Sequence, residues 1–474
     1  MEKNKFDFGM IGLGVMGSNL LLNMADHGFS VIGFDTNADK TKAFEASATK
    51  SETVKGVNTL KEMIALLKTP RKLMMLVPAG KPVDSVIKDL KPLLQKGDII
   101  IDGGNSHYTD TLRRINELKD TGFHFIGMGI SGGEEGARRG PSIMPGGDEE
   151  AYKELAPILE AISAKVNGEP CVAYLGHDAA GHYVKMVHNG IEYAIMQLIS
   201  ECYDLMQNGL KLSNEELHEV FKDWNGGDMK SYLLEITAAI FEKKDDKTNN
   251  FLIDMILDKA GAKGTGKWTS QSGLDLPMPV PTIDAAVMMR NLSSLIDERK
   301  EAASVYKTSP KKIETDRKEL IAELRDALYF ATLISYAQGM AMIAAASAEL
   351  KMEIPLPEVV SVWRGGCIIR SVMLEMFKKA YKNPNSKATG LKNLLLDPDI
   401  AKLLHQKESA IQKVISVAAL NSYPASGLMS SLNYFNAYRR KLLPTNLVQA
   451  QRDFFGAHTY QRIDEDGIFH TKWE

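Results

Sequence analysis

The sequence predicts a doubly wound parallel α/β domain, then a large all-α domain and a short C-terminal tail. Three observations carry this: β-rich runs alternate with helical patterns through the first third of the chain, the β signal fades after about Asp178, and from about Pro444 an aromatic, polar segment follows without a core-forming period. Strand and helix in alternation imply βαβ units and a parallel sheet. The expected division is therefore 1–178, 179–443 and 444–474.

In order, the expected strands are Phe6–Ile11, Val31–Phe34, Leu73–Val77, Ile99–Asp102 and Phe123–Gly127, separated by Gly and Pro punctuation. Patterns rich in Ala, Met and Leu then read as helices to roughly Leu432. Ala327–Ala348 carries no charged side chain and has the length of a membrane span. Its Ala, Ser, Thr, Tyr, Gln and Gly content makes insertion poor, so a buried core helix is expected. The last segment, with Phe454, Phe455, Tyr460, Phe469 and Trp473, reads as an extended arm of the kind that docks on a neighbour.

At 474 residues the chain exceeds the usual single domain. With 44% hydrophobic and 25% charged residues it is not a disordered chain. A net charge of -3 gives no global attraction to nucleic acid or a membrane surface. Cys171, Cys202 and Cys367 form no CxxC pattern, so no disulfide framework and no metal site is expected. These thiols, with a polar Met1–Lys5 that leaves no room for a signal peptide, suit the cytoplasm.

The most informative motif is Gly12-Leu13-Gly14-Val15-Met16-Gly17, at a strand-to-helix junction. There Gly12 permits a tight turn, Gly14 lets backbone approach a pyrophosphate, and Gly17 lets helix and strand pack closely. This is the Rossmann-type dinucleotide fingerprint. Asp35, after the second strand, stands where a carboxylate accepts ribose hydroxyls and repels a 2'-phosphate; the alternative is that it caps the next helix. Asp102-Gly103-Gly104-Asn105-Ser106 and Ser131-Gly132-Gly133 follow two further strands, at the edge where such sheets place ligands.

Lys185, His188, Asn189 and Glu192 fall at i, i+3, i+4 and i+7, one polar stripe on an otherwise apolar helix. Such a stripe reaches solvent or lines an internal cavity, because unpaired burial costs several kcal/mol. Gly190 in the middle of that helix lowers its propensity and favours the cavity. The loop Gly261–Trp268 nearly matches a P-loop, but Trp268 replaces the Mg-binding hydroxyl. What remains is a basic glycine loop offering Lys263 to an anion. Arg290 is a second anion clamp or half of a structural salt bridge, and Arg452 and His458 form a polar cluster in the tail.

Together these residues resemble the decarboxylating 6-phosphogluconate dehydrogenase family, within the β-hydroxyacid dehydrogenases. The blocks that carry the resemblance are Gly12–Leu20, Ile100–Asn105, Ser131–Gly147, Gly181–Glu192, Lys263–Thr269, Trp363–Arg370 and Gln449–Tyr460. The resemblance implies oxidation and decarboxylation of 6-phosphogluconate to ribulose 5-phosphate, with Lys185 as general base and Glu192 as acid. It implies substrate contacts from Asn105, Ser131, Gly132, Gly133, His188, Asn189, Tyr193, Lys263, Thr265 and Arg290, and from Arg452 and His458 of a second subunit in a homodimer whose tails cross. Cofactor contacts fall on the Gly12–Gly17 turn, Asp35, Thr36, Asn37, Val77, Pro78, Ala79 and Asn105.

Two departures bear on the cofactor. NADP-using members commonly carry Asn-Arg-Thr where this chain has Asp35-Thr36-Asn37, and a Lys is frequent where Pro78 stands. NAD is therefore expected over NADP. Two alternatives stay open: a β-hydroxyacid dehydrogenase that does not decarboxylate, against which Lys263, Arg290 and Arg452 speak, and a catalytically silent dinucleotide-binding protein, against which Lys185 and Glu192 speak.

Overall fold

The structure, a computed structural model, describes residues 5–48, 53–307, 310–383 and 390–473. Of the opening segment Met1–Lys5, only Lys5 lies within them. The first part is a seven-stranded sheet in the order β3-β2-β1-β4-β5-β6-β7. Its strands are β1 (Phe8–Ile11), β2 (Val31–Phe34), β3 (Val54–Val57), β4 (Lys72–Met75), β5 (Ile99–Asp102), β6 (His124–Ser131) and β7 (Ser142–Gly147).

Alternate residues of β1 enter different cores. Phe8 and Met10 pack with α1 (Val15–Asp26) and α7 (Glu149–Ile162), while Ile11 packs on the other face with α3 (Leu60–Leu66) and α4 (Lys81–Leu90). Covering both faces of the sheet is what makes its strands apolar throughout.

Two strands of this sheet escape the sequence reading. Val-Lys-Gly-Val of β3 is short and half polar because it sits at the sheet edge. The all-parallel expectation also needs correcting: β7 runs antiparallel to β6, with Ile126 opposite Gly147 and Ser131 opposite Ser142. The intervening α6 (Gly133–Arg139) is only 7 residues long, so the chain turns back without a crossover. Strand β6 also runs on to Ser131, past the expected end at Gly127.

Helix α8 (Ala180–Asp204) opens the helical part, whose other long helices are α14 (Arg317–Glu349) and α17 (Pro398–Leu420). The charge-free stretch of α14 packs against α8 and α17, and its most apolar window is 89% buried. Small side chains suit it to close packing on all sides.

The tail is not simply an extended arm. It starts with α19 (Thr445–Gly456), then turns back through a bridge between Tyr460 and Phe469. Buried Asp453 holds the turn, accepting from the Thr459 and Thr471 amides and from Trp473 Nε1 at 3.0, 3.0 and 2.9 Å. A polar hub replaces the apolar period that the sequence lacks.

Candidate active site

The Gly12–Gly17 turn lies at the carboxyl end of β1. Gly12 has φ +101°, and a Cβ there would meet Leu76 O at 2.5 Å; a Cβ at Gly17 would meet Gly12 O at 2.0 Å. At Gly14 a Cβ would meet nothing within 4 Å, so this backbone faces open space. The three glycines thus serve a tight turn, a helix packed against its strand, and an open approach for a diphosphate. Leu13 is buried beneath the turn, Met16 half-buried, and Val15 exposed at the start of α1.

Asp35 is not a free carboxylate. Its Oδ2 accepts from Leu13 N at 2.9 Å and its Oδ1 from Asn37 N at 2.9 Å, with Lys40 Nζ 3.7 Å away. The cap of the next helix is Asn37, whose Oδ1 accepts from Asp39 N. Asp35 therefore ties the glycine turn to the end of β2, while the two remaining lone-pair positions of the carboxylate are available to further donors. Thr36 is exposed, as are Pro78 and Ala79, with Val77 half-buried beside them after β4.

Helix α8 reaches the site by lying directly on the sheet, and glycines make that possible. A Cβ at Gly129 of β6 would stand 2.4 Å from Lys185 Cβ, and one at Gly127 would stand 2.9 Å from His182 Nδ1. From the other side, a Cβ at Gly181 would meet Gly127 O and Met144 O, each at 2.3 Å. The helix stripe is thereby pressed against the end of β6, where Ser131 lies.

At that contact Lys185 Nζ donates to Asn189 Oδ1 at 2.7 Å, and His188 Nδ1 donates to the same oxygen at 2.9 Å. An amide oxygen only accepts, so the proton of a neutral His188 sits on Nδ1 and Nε2 is left to accept from Ser131 Oγ, 3.4 Å away. His188 is fully buried, and desolvation, with Lys185 beside it, holds its pKa well below the ordinary value. Glu192 Oε2 lies 4.0 Å from His188 Nδ1.

Burial moves the two ends of the stripe in opposite directions. Desolvation lowers the pKa of Lys185, opposed by Glu192 and by Cys367; desolvation raises that of Glu192, opposed by Lys185 and Arg290. A lysine pushed toward neutrality and a carboxyl pushed toward protonation are shifted in the directions that general acid-base chemistry needs.

Beyond Glu192, Arg290 stacks on the buried Tyr193 ring at 3.4 Å and donates to Gly261 O at 3.0 Å, holding the base of the Lys263 loop. No carboxylate forms an ion pair with Arg290 among the described residues, so the salt-bridge alternative is not what is seen. Thr265 is buried at the head of α11 (Thr265–Asp275), and Lys263 is exposed before it. Gly190 has a packing cause instead of a catalytic one: a Cβ there would meet Thr269 Cγ2 at 2.6 Å. Asn105, Gly132 and Gly133 sit exposed or half-exposed at the same sheet edge.

Arg452 and His458 are exposed on the tail, whose hydrogen bonds among the described residues run within the tail itself. The chain's own fold gives them no bond to the Lys185–Glu192 group. Among the described residues, no three His, Cys, Asp or Glu side chains gather to hold a metal ion. Sequence reasoning missed the Gly127/Gly129/Gly181 contact strip, for which closely spaced glycines in a strand were the available signal. It also gave no role to Trp363, whose ring packs edge-on against His188 at 5.8 Å.

A glycine-turn α/β domain whose sheet edge meets a helix face carrying a buried lysine and a half-buried glutamate has the architecture of a nicotinamide-dinucleotide dehydrogenase. Comparison with known proteins narrows the class. Residues 7–176 match the model of the NAD binding domain of 6-phosphogluconate dehydrogenase, and residues 181–473 match that of its C-terminal domain. The chain belongs to the 6-phosphogluconate dehydrogenase family.

It is 51% identical to the NADP(+)-dependent, decarboxylating 6-phosphogluconate dehydrogenase of Bacillus subtilis (strain 168), over 99% of each chain. It is 48% identical to the decarboxylating enzyme of Escherichia coli (strain K12), again over 99% of each. Among solved structures, that of Plasmodium falciparum 6-phosphogluconate dehydrogenase superposes with a TM-score of 0.95 at 44% identity, covering 98% of this chain and all of that one.

Proposed function

We propose that this chain oxidises and decarboxylates 6-phospho-D-gluconate to D-ribulose 5-phosphate and CO2, a step of the pentose phosphate pathway, with Lys185 as general base and Glu192 as general acid. The observation that carries the assignment of roles is the opposed pKa displacement of buried Lys185 and half-buried Glu192 on one helix face. Neutral Lys185 takes the proton of the C3 hydroxyl, and the ammonium so formed then faces the new C3 ketone. A cation beside that carbonyl stabilises the enolate left as CO2 departs. Glu192 delivers a proton to C1 of the enediol. A nicotinamide dinucleotide, when bound, supplies the hydride acceptor; the Gly12–Gly17 turn, Asp35 to Asn37, Val77 to Ala79 and Asn105 would hold it.

Substrate contacts are assigned to Asn105, Ser131 to Gly133, His188, Asn189, Tyr193, Lys263, Thr265 and Arg290, completed by Arg452 and His458 from a second copy. Support for a homodimer comes from the tail, where Leu447, Phe454, Phe455 and Trp473 leave an exposed apolar face. Residues 1–178 are assigned to the cofactor, 179–443 to substrate and dimerisation, and 444–474 to the crossing tail. The buried free thiols Cys171, Cys202 and Cys367 suit a reducing cytoplasm.

NAD over NADP is proposed from this chain's own residues. A 2'-phosphate after β2 would meet Asp35 and Asp39 as acids, with Lys40, 3.7 Å from Asp35, as the cation at hand. The Bacillus subtilis relative is named as NADP(+)-dependent, so the preference rests on Asp35, Asp39 and Pro78 of this chain and draws nothing from that relative. The test follows reduced-nicotinamide absorbance with 6-phosphogluconate and NAD or NADP in parallel, with CO2 captured. Equal or better kcat/KM with NADP overturns the preference. Reduction without CO2 restores the non-decarboxylating reading, and no turnover with either cofactor removes the activity.

A further inference from the structure

We propose that Arg114 is a positioning residue that locks the cofactor loop Val77–Gly80 and the substrate loop Gly103–Asn105 into one rigid unit, so that occupancy of one site is felt at the other. The proposal rests on the dehydrogenase reading above. Arg114 lies on α5 (Tyr108–Leu118) and is 1% exposed. Its fork reaches three other segments: Nε donates to Asp84 Oδ1 of α4 at 2.8 Å, Nη2 to Gly80 O at 3.1 Å, and Nη1 to Asp102 Oδ2 at 3.1 Å and Ser106 Oγ at 3.3 Å.

Asp102 passes the constraint on. It is fully buried at the carboxyl end of β5, accepting from Gly104 N at 3.1 Å through Oδ1 and from Ser106 Oγ at 2.6 Å through Oδ2, on either side of Asn105. The same helix also holds the one that carries Lys185, since Thr111 Oγ1 and His182 Nδ1 are 2.7 Å apart and Tyr108 packs edge-on against Tyr183. A buried ion pair is a weak source of stability, because desolvation offsets its attraction. What it does supply is fixed geometry, and the planar guanidinium supplies donors in several directions where an ammonium is a single point.

Arg113 is the built-in control. It also binds Asp84, at 2.9 Å, but it is 42% exposed and has no hydrogen bond to Asp102 or Gly80.

The experiment measures the affinity of NADH by calorimetry, alone and with saturating 6-phosphogluconate, a pair that cannot react. Wild type is compared with Arg114→Lys, with Asp84→Ala, which cuts the α4 arm from a half-exposed position should Arg114→Lys fail to fold, and with Arg113→Lys. Wild type and Arg113→Lys are expected to bind NADH at least about fivefold more tightly when the sugar acid is present. In Arg114→Lys and Asp84→Ala that factor should fall toward one while each separate affinity holds, and kcat should drop by up to about 100-fold.

Unchanged coupling and kcat in both variants would overturn the proposal. So would loss of both separate affinities in step with the melting temperature, which marks a structural role only. Wild type that binds both ligands without coupling sinks this proposal alone. Coupled binding without turnover sinks the functional reading and leaves this one standing, and binding of neither ligand sinks both.

Discussion

Replacing Gly129 with alanine tests whether the closeness of α8 to the sheet sets the chemistry. The new methyl would stand 2.4 Å from Lys185 Cβ, 2.9 Å from its Cγ and 3.2 Å from Gly181 O. None of these is the far end of a flexible side chain, so the helix must move. Restoring an ordinary contact of 3.4 Å shifts α8 away from β6 by about 1 Å. Overpacking of this kind costs about 1–3 kcal/mol, which a domain of this size survives. A displacement of about 1 Å at a catalytic group costs roughly 100-fold in rate.

Lys185 and His188 ride on α8, whereas Ser131 belongs to the sheet, so the 3.4 Å contact of Ser131 with His188 should open. The assay is steady-state turnover beside a thermal melt and the binding of 5'-AMP, which reports on the Gly12–Gly17 turn and the end of β2, away from α8. Gly227→Ala, where a Cβ meets only Arg325 Nη2 at 3.6 Å, serves as control. Turnover of Gly129→Ala within threefold of wild type, with a normal melt, would refute the reasoning.

Other outcomes follow from the same geometry. Lys185→Met should lower kcat by about 10²–10⁴-fold. It should also raise thermal stability at pH 7: the folded pKa of Lys185 is depressed, so its burial penalises folding below that value and the penalty fades as pH rises toward 10.5; a variant no more stable at pH 7 than at pH 10, relative to wild type, contradicts this. Glu192→Gln should slow turnover by about 10²-fold or more and abolish the stereospecificity of deuterium entry at C1 of the product formed in D2O, read by NMR. Arg452→Ala should raise KM for 6-phosphogluconate by roughly 10-fold or more, the value of a charge-assisted phosphate contact. Mixing Arg452→Ala with Lys185→Met subunits should restore activity, because one site of each mixed dimer is then whole; no recovery would show that the tail acts within its own chain.

How much of the site was legible depended on the range of the interactions. The sequence by itself determined the glycine turn and the polar stripe on α8. Steric demand at Gly12 and Gly17 involves neighbours along the chain, and a helix fixes residues 185, 188, 189 and 192 on one face whatever surrounds it. It also determined the alternation that builds the sheet and the order of the domains. The tertiary structure decided the rest. That Asp35 holds Leu13 N, 22 residues away, that Ser131 meets His188 across 57 residues, and that Arg114 gathers Gly80, Asp84 and Asp102 leave no periodic trace in the sequence. Gly190 shows the converse: its oddity in a helix was visible, but its cause, a threonine methyl on α11, was not. Periodicity reports which face of an element is apolar; only packing decides which other element meets that face, and hence how far burial shifts Lys185 and Glu192 toward the roles proposed for them.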